Sequence, residues 1–421
     1  MPSRLLRNSF ALTVSVLLLV SPLTQAGSLF VPFSLDSTEV LPKGVRNLAV
    51  LAFTTEITDG QNGFGTVQPI GGGFNKAVTW GDLIKAEKAG YDRNSLQGYV
   101  QSKGYAMGDV VGRAVGVVDT RVTTTIPVLA YGVTDRLTLA AVIPILYSNT
   151  NVSTGWSANE NFNQAISKFA ADGKSYRITA NQDKLMNVVT TDVATKNYAP
   201  LHNESRTDMG DITLAGKYRL IKDDDFALAL VPKVILPTGR MADVDKLVDV
   251  ASGSGVWGLG LSAVTSYEFN GQWMMLASVG YLNQLPTYMA KRVPIQTDSA
   301  ATPDVDSSTY VKFGDIFTGQ IGPKFKVTRL ITLGSELGYQ YKAPDIYSGD
   351  RYEAGRYGWM SIDTEQVMFS SQFGAIFSTV PLYMAKSFPV PFEASLSYAN
   401  VFSGRNVNIT ELYSGAISLF F

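Results

Sequence analysis

From residue 44 to the last residue the chain repeats one pattern: apolar side chains at every second position over about ten residues, then a turn. It is cleanest over residues 256–282. Trp257, Leu259, Leu261, Ala263, Tyr267 and Phe269 share one parity, Asn270-Gly271 follows as a hairpin signal, and the return carries Trp273, Met275, Ala277, Val279 and Tyr281. Residues 211–221 alternate Ile212, Leu214, Tyr218 and Leu220 with Thr213, Ala215, Lys217 and Arg219, and the turn 222–225 leads into Phe226, Leu228, Leu230, Val234 and Leu236. A third hairpin runs from Arg121 through the turn 132–135 to Leu137, Leu139, Ala141 and Ile143. A fourth joins Val311, Phe313, Phe317, Ile321 and Phe325 to Ile331, Leu333, Leu337, Tyr339 and Tyr341. A fifth joins Val367, Phe369, Phe373, Ala375 and Phe377 to Phe392, Ala394, Leu396 and Tyr398. A first strand over about 44–57 and a last one carrying Tyr413, Ile417, Leu419 and Phe421 bring the expected number to twelve.

Period two means that one face of each strand is apolar and the other is not. A soluble β-sandwich would hide the apolar face in a core, whereas a transmembrane barrel turns it to lipid. Connection lengths favour the barrel. With an ascending first strand, long connections at 58–118, 150–207, 239–252, 285–308 and 342–360 alternate with tight turns, 380–391 being the one longer turn. This is the asymmetry of barrels with long extracellular loops and short periplasmic turns. The expected fold is therefore all-β: a transmembrane antiparallel up-and-down β-barrel of about twelve strands, with aromatic residues clustered near the strand ends as girdles. Within the long loops, 80–89, 94–103, 161–171 and 181–194 read as short helices.

Residues 1–26 carry Arg4 and Arg7, an apolar run of eleven from Phe10 to Val20, and Thr24-Gln25-Ala26. This is the layout of a signal peptide, and the run is shorter than the roughly 20 residues of a spanning helix. The barrel would then occupy 27–421 in the cell outer membrane. The alternating C-terminal strand ending in Phe421 is similar to the signal by which outer-membrane barrels are recognised for insertion, which makes barrel-assembly machinery, outer-membrane lipid and lipopolysaccharide the expected partners.

Composition agrees. Hydrophobic residues make up 45% and charged residues only 17%, so the chain is too apolar for disorder. It has no Cys, which excludes disulfide scaffolds and thiolate metal sites. Without the leader, 33 basic residues face 36 acidic ones, a balance with nothing to attract nucleic acid. The lumen parity carries Lys217, Arg219, Lys233, Lys312, Lys324 and Lys326 against Glu336 and Glu393, an excess that suggests mild selectivity for anions. No cofactor or metal is expected. Gly253-x-Gly255-x-x-Gly258 has dinucleotide-site spacing but precedes a strand, not the helix that such a site needs. His202, with Asn203 and Ser205, is the one imidazole. A Ser–His pair on a single short segment lacks the separate supports of a catalytic site, so a solvated loop residue is expected. Asp223–Asp225 and Asp304 with Asp306 lack calcium-loop spacing.

Two stretches resemble the outer-membrane family named for the meta-pathway of phenol degradation: Tyr131-Gly132-Val133-Thr134-Asp135-Arg136-Leu137 with Val142-Ile143-Pro144, and residues 210–219 with Leu236-Pro237-Thr238-Gly239 and the Gly-Ser-Gly at 253–255. The resemblance implies a channel associated with uptake of aromatic or other hydrophobic compounds. The function expected is thus an outer-membrane channel for passive or loop-gated diffusion of small solutes. The alternatives are a fatty-acid-transporter-like barrel that releases hydrophobic cargo sideways and, further off, a barrel enzyme or adhesin.

Overall fold

The computed structural model describes residues 37–61, 64–71, 75–87, 93–173, 182–296 and 302–421, so the expected leader, 1–26, lies outside the described residues. The elements are, in order, β1 (Arg46–Ile57), β2 (Asp59–Gln61), β3 (Val67–Pro69), β4 (Lys76–Thr79), α1 (Trp80–Lys85), α2 (Arg93–Ser102), β5 (Val110–Thr134), β6 (Leu137–Val142), β7 (Ile145–Ala158), α3 (Glu160–Ala171), α4 (Gln182–Ala194), β8 (Glu204–Met209), β9 (Ile212–Lys222) and β10 (Phe226–Leu236). They continue with β11 (Gly258–Glu268), β12 (Trp273–Gln284), β13 (Thr287–Arg292), β14 (Val305–Lys312), β15 (Ile316–Lys326), β16 (Ile331–Lys342), β17 (Ile346–Ser348), α5 (Ala354–Met360), β18 (Gln366–Ser378), α6 (Val380–Met384), β19 (Phe392–Arg405), β20 (Val407–Asn408) and β21 (Glu411–Phe420).

Twelve of these strands close into a cylinder, β1-β5-β6-β9-β10-β11-β12-β15-β16-β18-β19-β21, with β1 hydrogen-bonded to β21 on one side and β5 on the other. The seam is held to its last residue: Arg46 N–H donates to the Phe421 carbonyl at 2.7 Å, and Phe421 N–H to the Arg46 carbonyl at 3.0 Å. The parity read from the sequence is the parity of the wall. Leu261, Val279, Leu337, Phe373, Leu396 and Ile417 all point outward and are more than half exposed, whereas their strand neighbours Ser262, Gln372 and Ser414 are buried inside. The turn at Asn270 forms as expected, its side-chain oxygen accepting the N–H of Gln272 and of Trp273 at 2.9 Å each.

The structure departs from the sequence reading in three places. β5 has 25 residues, far more than the roughly 9–11 that cross a bilayer. Residues 128–134 pair with β6 and residues 112–125 with β7, so the upper part of β5, with β4, β7 and β8, extends the wall beyond the length that a bilayer requires. The first two connections are therefore shorter than 58–118 and 150–207. Alternation alone cannot tell wall above the membrane from wall within it.

The second departure concerns Val311 and Phe313. They are fully buried with Val256 and Met289 in a core under a small sheet, β13-β14-β17, so this part of the fourth hairpin is not lipid-facing barrel. The barrel strand starts only at Ile316.

Third, the loop helices form at the expected places but build a unit of their own. Trp80 lies at its centre, its ring 5.5 Å from those of Phe162 and Phe169, within a core that includes Leu83, Leu96, Val100, Ala165, Leu185 and Val188. This cap also takes in Ala114 of β5, which shares parity with the lumen-side residues Val128 and Ala130 lower on the same strand. The cap thus leans over the mouth and not against the lipid side.

Depth in the bilayer should govern tolerance to charge. Val279→Arg, mid-strand and 65% exposed, is expected to cost ~2–4 kcal/mol of barrel stability, and Trp273→Arg, at the end of the same strand, about 0–1. Urea titrations of the two variants folded into lipid vesicles check the ordering.

Candidate functional site

The lumen is lined by all twelve wall strands, and because that face never meets hydrocarbon it can carry polar side chains beside apolar ones such as Phe53, Ile126, Met368 and Leu412. Lys233 (β10), Lys324 (β15), Glu336 (β16) and Glu393 (β19) lie in it, each less than 8% exposed. Around them the hydroxyl and amide groups form short chains. Ser278 donates to Gln320 at 2.9 Å, and Gln372 donates to Ser397 at 2.9 Å, which in turn bonds Ser414 at 2.6 Å. The stem of Lys233 lies across Gly260 on the neighbouring strand, where a Cβ would come within 2.4 Å of it.

Of the other charges expected in the lumen, Lys326 pairs with Glu268 at 3.4 Å near the periplasmic turns. Lys312 is a correction. It belongs to the extracellular sheet and not to the wall, and its Nζ bonds the Asp315 carboxylate at 2.5 Å and the Phe313 carbonyl at 3.2 Å. The parity count ran past the break at residues 313–315 that separates β14 from β15.

Lys217 and Arg219 do face inward, but what they meet is the chain itself. The segment before β1 threads the periplasmic half of the lumen. Lys217 Nζ bonds the Ser37 carbonyl at 2.9 Å, Thr38 bonds Ser266 at 2.7 Å, and Glu39 takes Arg219 at 3.2 Å and Lys222 at 3.3 Å. Lower down, the Leu41 N–H reaches Thr138 at 2.7 Å and the Lys43 N–H reaches Asp135 at 3.0 Å. The chain passes so close to Gly132 that a Cβ there would lie 2.0 Å from the Pro42 carbonyl oxygen. Sequence reasoning missed this segment because it has no periodicity. The one available signal was an unassigned acidic residue, Glu39, beside a wall richer in bases.

At the other end a second knot forms. Asp211, buried where β8 bends into β9, accepts the N–H of Gly239 at 2.9 Å, the N–H of Ser254 at 2.8 Å and the Ser254 hydroxyl at 3.0 Å. Gly239 and Gly253 touch through their backbones, leaving no room for a Cβ on either. Arg240 extends the knot with bonds to Asp249 at 2.6 and 2.9 Å and to Asp208 at 3.1 Å. Burial alone would raise the Asp249 carboxyl, but the Arg240 bonds and the Asp243 N–H hold it below its ordinary value. Residues 237–257 are thereby strapped across the upper edge of the wall, and Arg292, stacked 3.9 Å from the Tyr198 ring, bonds the carbonyls of Val244, Lys196 and Asn197 to lock the strap to the cap.

Gly253, Gly255 and Gly258 are therefore packing glycines, Gly255 with φ +73° against Met241. His202 is exposed, with Nδ1 at 2.9 Å from the Pro200 carbonyl, and Asn203 is committed to the Val152 N–H at 2.9 Å. Asp304 and Asp306 hold Arg356 at 2.7 Å and Tyr357 at 2.5 Å. Among the described residues no group of three or more His, Asp or Glu side chains is placed to hold a metal ion.

A family model described as "Putative MetA-pathway of phenol degradation" matches residues 111–356, more than half of the chain. The chain belongs to this family. Both stretches that suggested this phenol-degradation family in the sequence prove to be clamps: Gly132 and Asp135 hold the N-terminal segment, and Asp211, Gly239 and Gly253 hold the extracellular strap. An outer membrane channel from Pseudomonas putida F1 superposes with a TM-score of 0.52 at 11% identity, over 93% of this chain and 100% of that one, so the fold is that of an outer-membrane barrel. A FadL homologue from Pseudomonas aeruginosa (TM-score 0.35, 12% identity, 90% of each chain) and the CymD monoaromatic hydrocarbon channel (0.34, 9%, 96% and 97%) align more loosely. No curated protein matches significantly.

The depressed carboxyl of Asp249 sets a pH window. Its contribution is present above the ordinary carboxylate value of 3.8 and is lost as pH falls through the lower folded value. A nitroxide on Val248→Cys should stay immobile from pH 7 to about 4 and become mobile below that. In an Asp249→Asn background it should be mobile throughout, as read by continuous-wave electron paramagnetic resonance.

Proposed function

We propose that the protein is an outer-membrane channel for diffusion of small solutes, uncharged aromatic or other hydrophobic compounds foremost. The observation that carries this reading is a closed twelve-strand wall whose interior combines polar side chains with an apolar cluster that includes Phe53, Ile126 and Met368. Twelve strands fall between the eight that fill their own interior and the sixteen or more that leave a wide channel. Inside, Lys233 and Lys324 are matched in number by Glu336 and Glu393, Glu39 offsets one of the two charges of Arg219 and Lys222, Glu268 offsets Lys326, and Lys217 bonds the Ser37 carbonyl. The positive excess counted from the sequence shrinks accordingly, which weakens the expected preference for anions and suits neutral solutes as well. The family description points to aromatic compounds. We assign no catalysis, because His202 and Asn203 are engaged with backbone groups. Lipid and lipopolysaccharide against the girdles, and the assembly machinery through Phe421, complete the set of partners we propose.

One observation favours the second reading, sideways release of hydrophobic cargo. Above Leu236, β10 loses its partner β9 while β8 continues upward paired with β7, so the strap at 237–257 is what covers that edge. Conductance across lipid bilayers supports the channel, and hydrophobic uptake without conductance supports sideways release.

Two variants test the parts. Glu39→Gln frees Arg219 and Lys222, so the reversal potential under a salt gradient should move toward anion selectivity. Trp80→Ala should cost the cap about 3–5 kcal/mol and raise single-channel conductance, and an unchanged conductance would discard gating by the cap.

A further inference from the structure

The longest periplasmic turn, residues 379–391, differs in composition from the others. The turns near Asp135-Arg136, at 222–225 and around Arg329 are charged, whereas this one contains Val380, Pro381, Leu382, Tyr383, Met384, Phe388, Pro389, Val390 and Pro391 with Lys386 as its single charge. It is well ordered. Thr379 N–H donates to the Phe392 carbonyl at 2.9 Å, the Thr379 hydroxyl to the Val390 carbonyl at 2.7 Å, and the Ser387 hydroxyl to the Leu382 carbonyl at 3.0 Å. Its root is anchored inside, where Val380 packs against Leu41, Ala130 and Phe420.

Residues 383–390 are nonetheless all exposed, Met384 at 64%, Tyr383 at 45% and Val390 at 44%. A rigid apolar surface of this kind calls for an occupant. The rings indicate which one. Phe388 lies 6.2 Å from Phe392, which lies 5.9 Å from Phe377, and both Phe377 and Phe392 stand on the lipid parity of β18 and β19. The exposed face of the turn is thus continuous with the lipid-facing aromatic girdle, its one cation placed where phosphate groups lie.

We propose that residues 379–391 form an interfacial foot whose apolar face is immersed in the periplasmic leaflet of the outer membrane, its ligand being bilayer phospholipid. The foot ties the barrel to that leaflet from below the wall, as an interfacial amphipathic segment does.

The chain has no Cys, so single-site labelling is clean. Met384→Cys and Val390→Cys are each given a nitroxide and reconstituted into phosphatidylethanolamine–phosphatidylglycerol vesicles, with Leu396→Cys as the lipid reference and Asn270→Cys as the aqueous-turn reference. Relaxation enhancement by oxygen is compared with that by a nickel chelate present on both sides of the membrane. The expected oxygen-to-nickel ratio at 384 and 390 is at least about threefold above that at 270 and approaches that at 396. A ratio equal to that at 270 in both variants overturns the proposal. So does exclusion of both reagents, which would mean a protein partner, or dipolar broadening between labels, which would mean a second copy of the chain. Two positions keep the test intact if one variant fails to fold, as judged by loss of the heat-dependent gel shift of a closed barrel.

Discussion

In hydrocarbon, a backbone N–H or C=O without a partner costs several kcal/mol, and a sheet can avoid that cost only by having no edge. In this protein the condition is met at β1, which bonds β21 through nine residue pairs and β5 through twelve. Everything else is built on that closure. Once the edges are joined, each strand has an outside that must be apolar and an inside free to be polar, and a buried Lys233 or Glu393 becomes tolerable because it stands on the lumen side and not against acyl chains.

Closure also fixes where the chain must depart from regularity. β6 and β7 form one ascending path interrupted at Ile143-Pro144, and β8 and β9 one descending path interrupted at Gly210-Asp211. The two breaks face each other, Gly210 N–H donating to the Pro144 carbonyl at 2.8 Å. Above them the sheet leaves the cylinder and must be held some other way. The Asp211 carboxylate and the Arg240 guanidinium do so, spending their bonds on backbone N–H groups and carboxylates of the strap. At the opposite end Gly132 lets the N-terminal segment cross the wall at a distance no side chain would allow. A single family signature thus serves two ends of the same lumen, with Asp211 at one end of the 210–219 stretch and Lys217 and Arg219 at the other.

Much of the wall was legible because lipid enforces a simple rule. Leu214, Tyr218, Leu259, Leu261, Val279, Leu337 and Phe373 were placed outside by parity alone, and all are exposed there. The loop helices were legible for a similar reason: Trp80, Leu83 and Ile84 bury one face, and Thr79 caps α1 through Asp82. Lys312 was misplaced because parity carries no information across the irregular residues between β14 and β15. Val311 and Phe313 were misread because a small soluble core and a lipid surface ask for the same apolar side chains. The motif residues were seen only as a family resemblance, since a buried carboxylate such as Asp211 reveals its role only through partners 28 and 43 positions away.

The sequence by itself determined the number of strands, the side of each that meets lipid, the helices of the cap and the family, because these depend on local period and on short patterns. The tertiary structure alone decided which charges stand in the lumen, that Glu39 bridges Arg219 and Lys222, and that a strap and an N-terminal segment occupy the two ends of the lumen. Those outcomes depend on contacts between residues up to 228 positions apart, and no local period encodes which distant groups a closed cylinder will bring face to face.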